Sequence, residues 1–135
     1  MADYKHAIAK VLRTEGGYVN DPDDAGGETY KGIARNFWPH WKGWSIIDNA
    51  KGFNFPNCLS LISNLQDAVI EFYKENFWDK VGGDQIASQT IADNLVDSAV
   101  NEGIKPAVKS AQSIVGMAQT GVVSEELVTK LNSLI

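Results

Sequence analysis

A chain of 135 residues, 44% hydrophobic, 21% charged and with a net charge of -5, is sized for one domain whose core buries roughly two-thirds of the unfolded surface. No basic cluster interleaved with aromatics is present, which argues against nucleic-acid binding as the main function. Cys58 stands alone, so no intramolecular disulfide forms, and no stretch approaches the ~20 apolar residues of a membrane span.

No internal repeat or low-complexity run interrupts residues 1–135, which are read as a single domain. Met1 to Lys10 lacks the apolar core of a secretory signal, and synthesis and folding in the cytoplasm are expected. Tyr4, Ile8, Val11, Leu12 and Glu15 recur at helical spacing, predicting a helix from about Asp3 to Glu15 with the carboxylate in line with the apolar stripe. Gly16 and Gly17 follow, residues that take the left-handed conformation ending a helix. Glu15 is therefore expected in the last turn, at the negative end of the helix dipole. Apolar neighbours and that dipole end both favour a protonated carboxyl; a solvated terminal Glu turned away from the core is the alternative.

Beyond Glu15 come Asp24 and Thr29, with Gly16, Gly17, Gly26 and Gly27 giving the loop freedom to fold back. An acid on an apolar face, followed by a carboxylate and a hydroxyl on a returning loop, is the set of groups that glycoside hydrolysis needs. One carboxyl must give a proton to the leaving oxygen, and an ionised one must activate water or stabilise the oxocarbenium ion.

The run Glu15-Gly16-Gly17-Tyr18 through Asp24-x-Gly26-Gly27-x-Thr29-x-x-Gly32-Ile33 resembles the signature of glycoside hydrolase family 108, bacterial and phage N-acetylmuramidases that cleave peptidoglycan. The order Glu, Asp, Thr is more distantly similar to the triad of phage T4-type lysozymes. The resemblance implies a mainly α-helical, lysozyme-like domain with a short irregular or β-ribbon loop after the first helix. It also implies hydrolysis of the β-1,4 bond between N-acetylmuramic acid and N-acetylglucosamine in peptidoglycan glycan strands, with no cofactor and no metal. In that reading Glu15 is the general acid, Asp24 the stabilising or water-activating carboxylate, and Thr29 the positioner of water or substrate. Tyr18, Asn20, Tyr30, Asp97 and Asn101 would bind substrate in the groove. A hydroxyl near the carboxyl pair suits a water held on the far face of the sugar, so inversion at the anomeric carbon is expected. Reaching a wall would take a holin or a secretion machine. The acidic balance removes long-range attraction to an anionic wall, so contacts in the groove must supply affinity.

After this motif, Pro39 breaks a helix expected to open near Ile33. Trp38, Trp41 and Trp44 are either core filler or platforms for sugar rings. Ser45 to Asn57 reads as irregular, a connector or a rim, punctuated by Gly52 and Pro56. Leu65, Val69, Phe72, Tyr73 and Phe77 predict a helix from Leu65 to Trp78 with Asn64 as cap, and its Tyr73 to Trp78 ending also resembles the family. A helix from about Ser88 to Glu102 puts Ile91, Leu95 and Ala99 on one face and Asp97 and Asn101 on another, and Gly103 closes it. The run Asp97-Ser98-Ala99-Val100-Asn101-x-Gly103 resembles the family's second motif, a helix lining the groove; on pattern alone both polar residues are solvated surface. Pro106 opens a helix to about Met117 with Val108, Ala111, Ile114 and Val115 inward. Gln112 falls where the family has a Leu-Gln pair, with Ala111 in the first place. Ser124 caps a last helix with Leu127, Leu131 and Leu134 inward. The family's C-terminal Gly-Trp-x-x-Arg pattern is absent, which leaves two readings, a complete enzyme or a domain shortened at its C-terminus relative to the family.

Metal readings fail on spacing. In an EF-hand loop starting at Asp21, Ala25 stands at the fifth position and Gly32 at the twelfth, where a bidentate Glu belongs; His6, His40 and Cys58 lack zinc spacing. Two other classes remain as alternatives: a non-catalytic peptidoglycan-binding module, which has no need of Glu15, and a helical partner-binding protein of a secretion or phage system, which has little use for two Gly-Gly pairs.

Overall fold

The computed structural model describes residues 1–134. Among them are six α-helices and one three-stranded antiparallel sheet, a mainly α architecture. The chain forms two compact units, Leu12–Phe72 and the combination of Met1–Val11 with the residues from Tyr73 onward. None of the helices among the described residues is long and apolar enough to cross a membrane.

The first helix, α1 (Tyr4–Thr14), buries Ala7, Ile8 and Val11 and runs from one unit into the other. In the Leu12–Phe72 unit it is followed by β1 (Tyr18–Asn20), β2 (Glu28–Tyr30) and β3 (Ile33–Ala34), in the order β1-β2-β3. The β-ribbon form of the loop after helix one is thus the observed one. The helix expected near Ile33 is instead this third strand. Lys31 and Gly32, with φ of 47° and 83°, pair Tyr30 with Ile33 across a two-residue turn, and positive φ at both central positions is what matches a tight turn to strand twist.

The stretch expected to be irregular contains α2 (Gly43–Ala50), which buries Trp44 and Ile47 one turn apart. Trp44 donates its indole N–H to the Trp38 carbonyl at 2.9 Å, and Trp41 donates to the Ala68 carbonyl at 3.2 Å. Trp41 stands edge-on to Trp44 with centroids 5.3 Å apart, and Trp38 edge-on to Phe72 at 4.8 Å. Trp41 and Trp44, with their N–H groups satisfied and their rings packed edge to face, help hold the unit's core, while Trp38 is 39% exposed. A 3-10 turn (Asn57–Leu61) leads into α3 (Ser63–Tyr73). Asn64 lies inside that helix and is not its cap, because the start falls earlier than the apolar pattern indicates.

In the other unit the helical path continues as a π-helical turn at Lys74–Trp78. Trp78 is fully buried, donates to Asp84 at 2.8 Å, and lies against Gly83, where any Cβ would sit 2.3 Å from its ring. Next come α4 (Gln89–Glu102), α5 (Ile104–Ile114) and α6 (Glu125–Asn132). Ser88 and Ser124 cap α4 and α6 by accepting from the Ile91 and Leu127 N–H groups. Ile114 and Leu134, expected inward, are 73% and 54% exposed; Ile114 is the last residue of α5 and Leu134 lies two residues beyond α6, where the helical stripe no longer dictates direction. Gln112, 1% exposed, donates to Thr120 and to the Val122 carbonyl and accepts from the Gly121 N–H, satisfying a buried amide while fastening the segment after α5.

Candidate active site

Glu15 lies one residue beyond the end of α1, not within its last turn, and is half-buried. Neither Gly16 nor Gly17 takes a left-handed φ, so the helix does not end by the glycine mechanism. A Cβ on either would meet nothing within 4 Å. The pair therefore leaves the surface beside Glu15 clear. Among the described residues, no hydrogen bond or ion pair engages the Glu15 carboxyl.

The connection from β1 to β2 is braced by its own side chains. Asp21 accepts from the Asp23 N–H at 2.9 Å and Asp24 from the Gly26 N–H at 3.0 Å, turns in which a short carboxylate fixes the backbone two residues on. Gly27 has φ of 69° and a Cβ there would lie 2.8 Å from the Asn36 amide, which itself donates to the Ala25 carbonyl at 3.0 Å. Asp24 is exposed but anchored. Thr29 is half-buried and donates its hydroxyl to the Gly27 carbonyl at 3.2 Å.

The ribbon register sorts the expected groove residues. Tyr18 lies opposite Tyr30, Val19 opposite Thr29 and Asn20 opposite Glu28, while Thr29 also pairs with Ala34. Because side chains alternate across a pleat, Tyr18, Asn20, Glu28 and Tyr30 share one face; Val19, Thr29 and Ala34 share the other. The position of a Cβ on Gly26 lies 3.0 Å from Ala34 Cβ and 3.6 Å from Asp24 Oδ1, which brings the Asp24 carboxylate toward the Thr29 face.

Sequence reasoning passed over Glu28. It accepts from the Tyr18 hydroxyl at 2.5 Å, from Arg35 at 2.8 Å and from Lys51 at 2.8 Å. Asp48 takes both guanidinium nitrogens of Arg35, at 2.8 and 2.7 Å, and Lys51 at 3.2 Å. Burial pushes the Glu28 carboxyl up, but the hydrogen bonds from Lys51, Tyr18 and Arg35 win and hold it below its ordinary value. Arg35 likewise holds Asp48 well below the carboxylate range. Burial and the bond to Glu28 raise the Tyr18 phenol. These groups tie the hairpin to α2. Strand alternation placing Glu28 beside Tyr18 was the available signal, but its cationic partners come from a turn and a helix end.

On the Tyr18 and Tyr30 face, a cleft of about 450 Å³ is lined by Gly17, Tyr18, Tyr30, Lys31, Asn57 and Ser60 among others. Tyr30 is 3% exposed and forms wall more than contact surface; its hydroxyl accepts from Gln66 at 3.0 Å. Lys31 donates to the Gln66 carbonyl oxygen at 2.6 Å and sits 5.7 Å from the Tyr30 ring centroid, and burial lowers its ammonium below the ordinary value. Asn20 is exposed on β1. Asp97, half-buried, and Asn101, exposed, lie on α4 in the other unit.

The profile of Glycosyl hydrolase 108 matches residues 8–103, the span from α1 through the end of α4. A solved structure described as that of Brucella abortus SagA superposes with a TM-score of 0.63 at 28% identity, over 98% of this chain and 70% of that one. No curated protein sequence matches. The fold is the mainly α, lysozyme-like one, and with the profile running through both the Glu15 to Ile33 ribbon and α4, the chain belongs to the glycosyl hydrolase 108 family.

Proposed function

We propose that the chain is a muramidase that hydrolyses the β-1,4 bond between N-acetylmuramic acid and N-acetylglucosamine in peptidoglycan. The observation that carries this reading is Glu15: a half-buried carboxyl engaged by no structural partner among the described residues, beside two glycines that leave room for a bulky strand. In the reaction Glu15 protonates the glycosidic oxygen as the bond to the anomeric carbon breaks. Asp24, anchored through the Gly26 N–H, supplies the ionised carboxylate, and Thr29 on the neighbouring strand positions the attacking water. Carriage to the wall is by a holin or a secretion machine.

Lysis of purified sacculi tests this. Glu15→Gln keeps shape but cannot donate the proton, so clearing should fall by at least the ~10² to 10⁴ supplied by general acid catalysis, with the melting temperature undiminished. Clearing at near wild-type rate would overturn the assignment. A wall-binding module would sediment with sacculi and clear none; a partner-binding helical protein would do neither.

A further inference from the structure

Resting on the muramidase reading, we infer that the cleft holding Lys31 is a carboxylate subsite that takes the acidic substituent carried by the muramoyl sugar. An anionic wall and a chain of net charge -5 repel at long range, so recognition of the acid must be local. Lys31 is the cation of this cleft. Its ammonium is held from two sides, by the Gln66 amide oxygen at 2.6 Å and the Tyr30 ring, and it is half-buried. A cation so placed is partly desolvated, and an arriving carboxylate is screened less than at the open surface. Its backbone is also specified by the fold: φ of 47° is unusual for a residue with a Cβ, and its N–H donates to the Gly17 carbonyl at 3.2 Å, which sets the cleft two residues from Glu15. Asn57 and Ser60 in the wall add polar groups able to complete the oxygens' hydrogen bonds.

Geometry further favours the acid over the sugar ring as occupant. The cleft opens on the Tyr18 and Tyr30 face of the ribbon, while Thr29 belongs to the other. The ether substituent of a muramoyl sugar projects away from its ring, so it can reach a cleft that the ring being cleaved does not fill. The carboxylate has two sources, the lactyl group of a strand stripped of peptide or the acidic residues of an intact stem.

Binding measured in the Glu15→Gln background, which suppresses turnover, separates these. Three soluble ligands of equal length are titrated: an N-acetylglucosamine oligomer with no carboxylate, a peptide-free glycan strand, and a peptide-bearing strand. The expected result is at least tenfold tighter binding of one or both acidic strands than of the neutral oligomer. Lys31→Met should abolish the preference while changing affinity for the neutral oligomer less than twofold, and Lys31→Arg should keep it. Preference for the peptide-free strand assigns the lactyl carboxylate; preference for the peptide-bearing strand alone assigns the stem. Equal binding of all three ligands, or equal weakening of all three by Lys31→Met with no rescue by Arg, overturns the subsite. Sacculus clearing by the chain with Glu15 intact is read alongside: no clearing with a Lys31-dependent preference refutes the muramidase reading and leaves the subsite standing.

Discussion

Glu28→Gln probes the brace beneath the ribbon. The change keeps volume and one acceptor but removes the charge on which Tyr18, Arg35 and Lys51 converge at 2.5, 2.8 and 2.8 Å. Two of those donors keep a partner, because Asp48 still accepts from Arg35 and from Lys51. The loss therefore falls short of the ~3–5 kcal/mol of breaking a buried pair outright. About 2 kcal/mol is expected, the worth of one or two charged hydrogen bonds, or a fall in melting temperature of roughly 6–10 °C for a chain of this size. The pH dependence carries a sign. Burial raises the Glu28 carboxyl, but the bonds from Lys51, Tyr18 and Arg35 hold it below its ordinary 4.5 in the folded chain. Such a group stabilises the fold fully above its unfolded value and loses that contribution as pH falls through the folded one. Thermal melts followed by circular dichroism should therefore show a constant gap between wild type and variant from about pH 8 to about pH 5.5, closing below about pH 4.5. A gap under about 0.5 kcal/mol at neutral pH, or one that persists on acidification, would refute the brace.

Asp24→Asn should cost far more turnover on sacculi than Asp21→Asn or Asp23→Asn, and the comparison is clean because an Asn at 24 can still accept from the Gly26 N–H; equal losses from all three would point to loop electrostatics instead. Proton NMR of the first product from a soluble peptidoglycan oligomer should show the α-anomer, as inversion requires. Initial β-anomer, or a sugar ester trapped on Asp24, would make Asp24 a nucleophile.

Local codes in the sequence determined much of this molecule. A serine cap at Ser124 and apolar residues at helical spacing in α1, α4 and α6 are read over a few residues, and they placed those helices to within a turn, whereas the stripe from Leu65 to Phe77 found α3 but carried it past Tyr73, where the α-helix ends. The Glu15 to Ile33 motif, dense and short, marked the family and a loop either irregular or ribbon-like, which strand pairing makes a ribbon. Tertiary structure decided what depends on partners distant in the chain. Helix α2 forms in a stretch whose Gly, Asn and Ser content reads as loop, because Trp44 and Ile47 find a core to enter. Ile33 pairs as a strand because the positive φ of Lys31 and Gly32 returns it beside Tyr30. Glu28 acquires its role from Arg35 and Lys51, and Lys31 its cleft from the segment around Asn57 and Ser60. An ion pair between residues far apart in sequence leaves no periodic trace, since its energy depends on geometry that only the folded chain supplies.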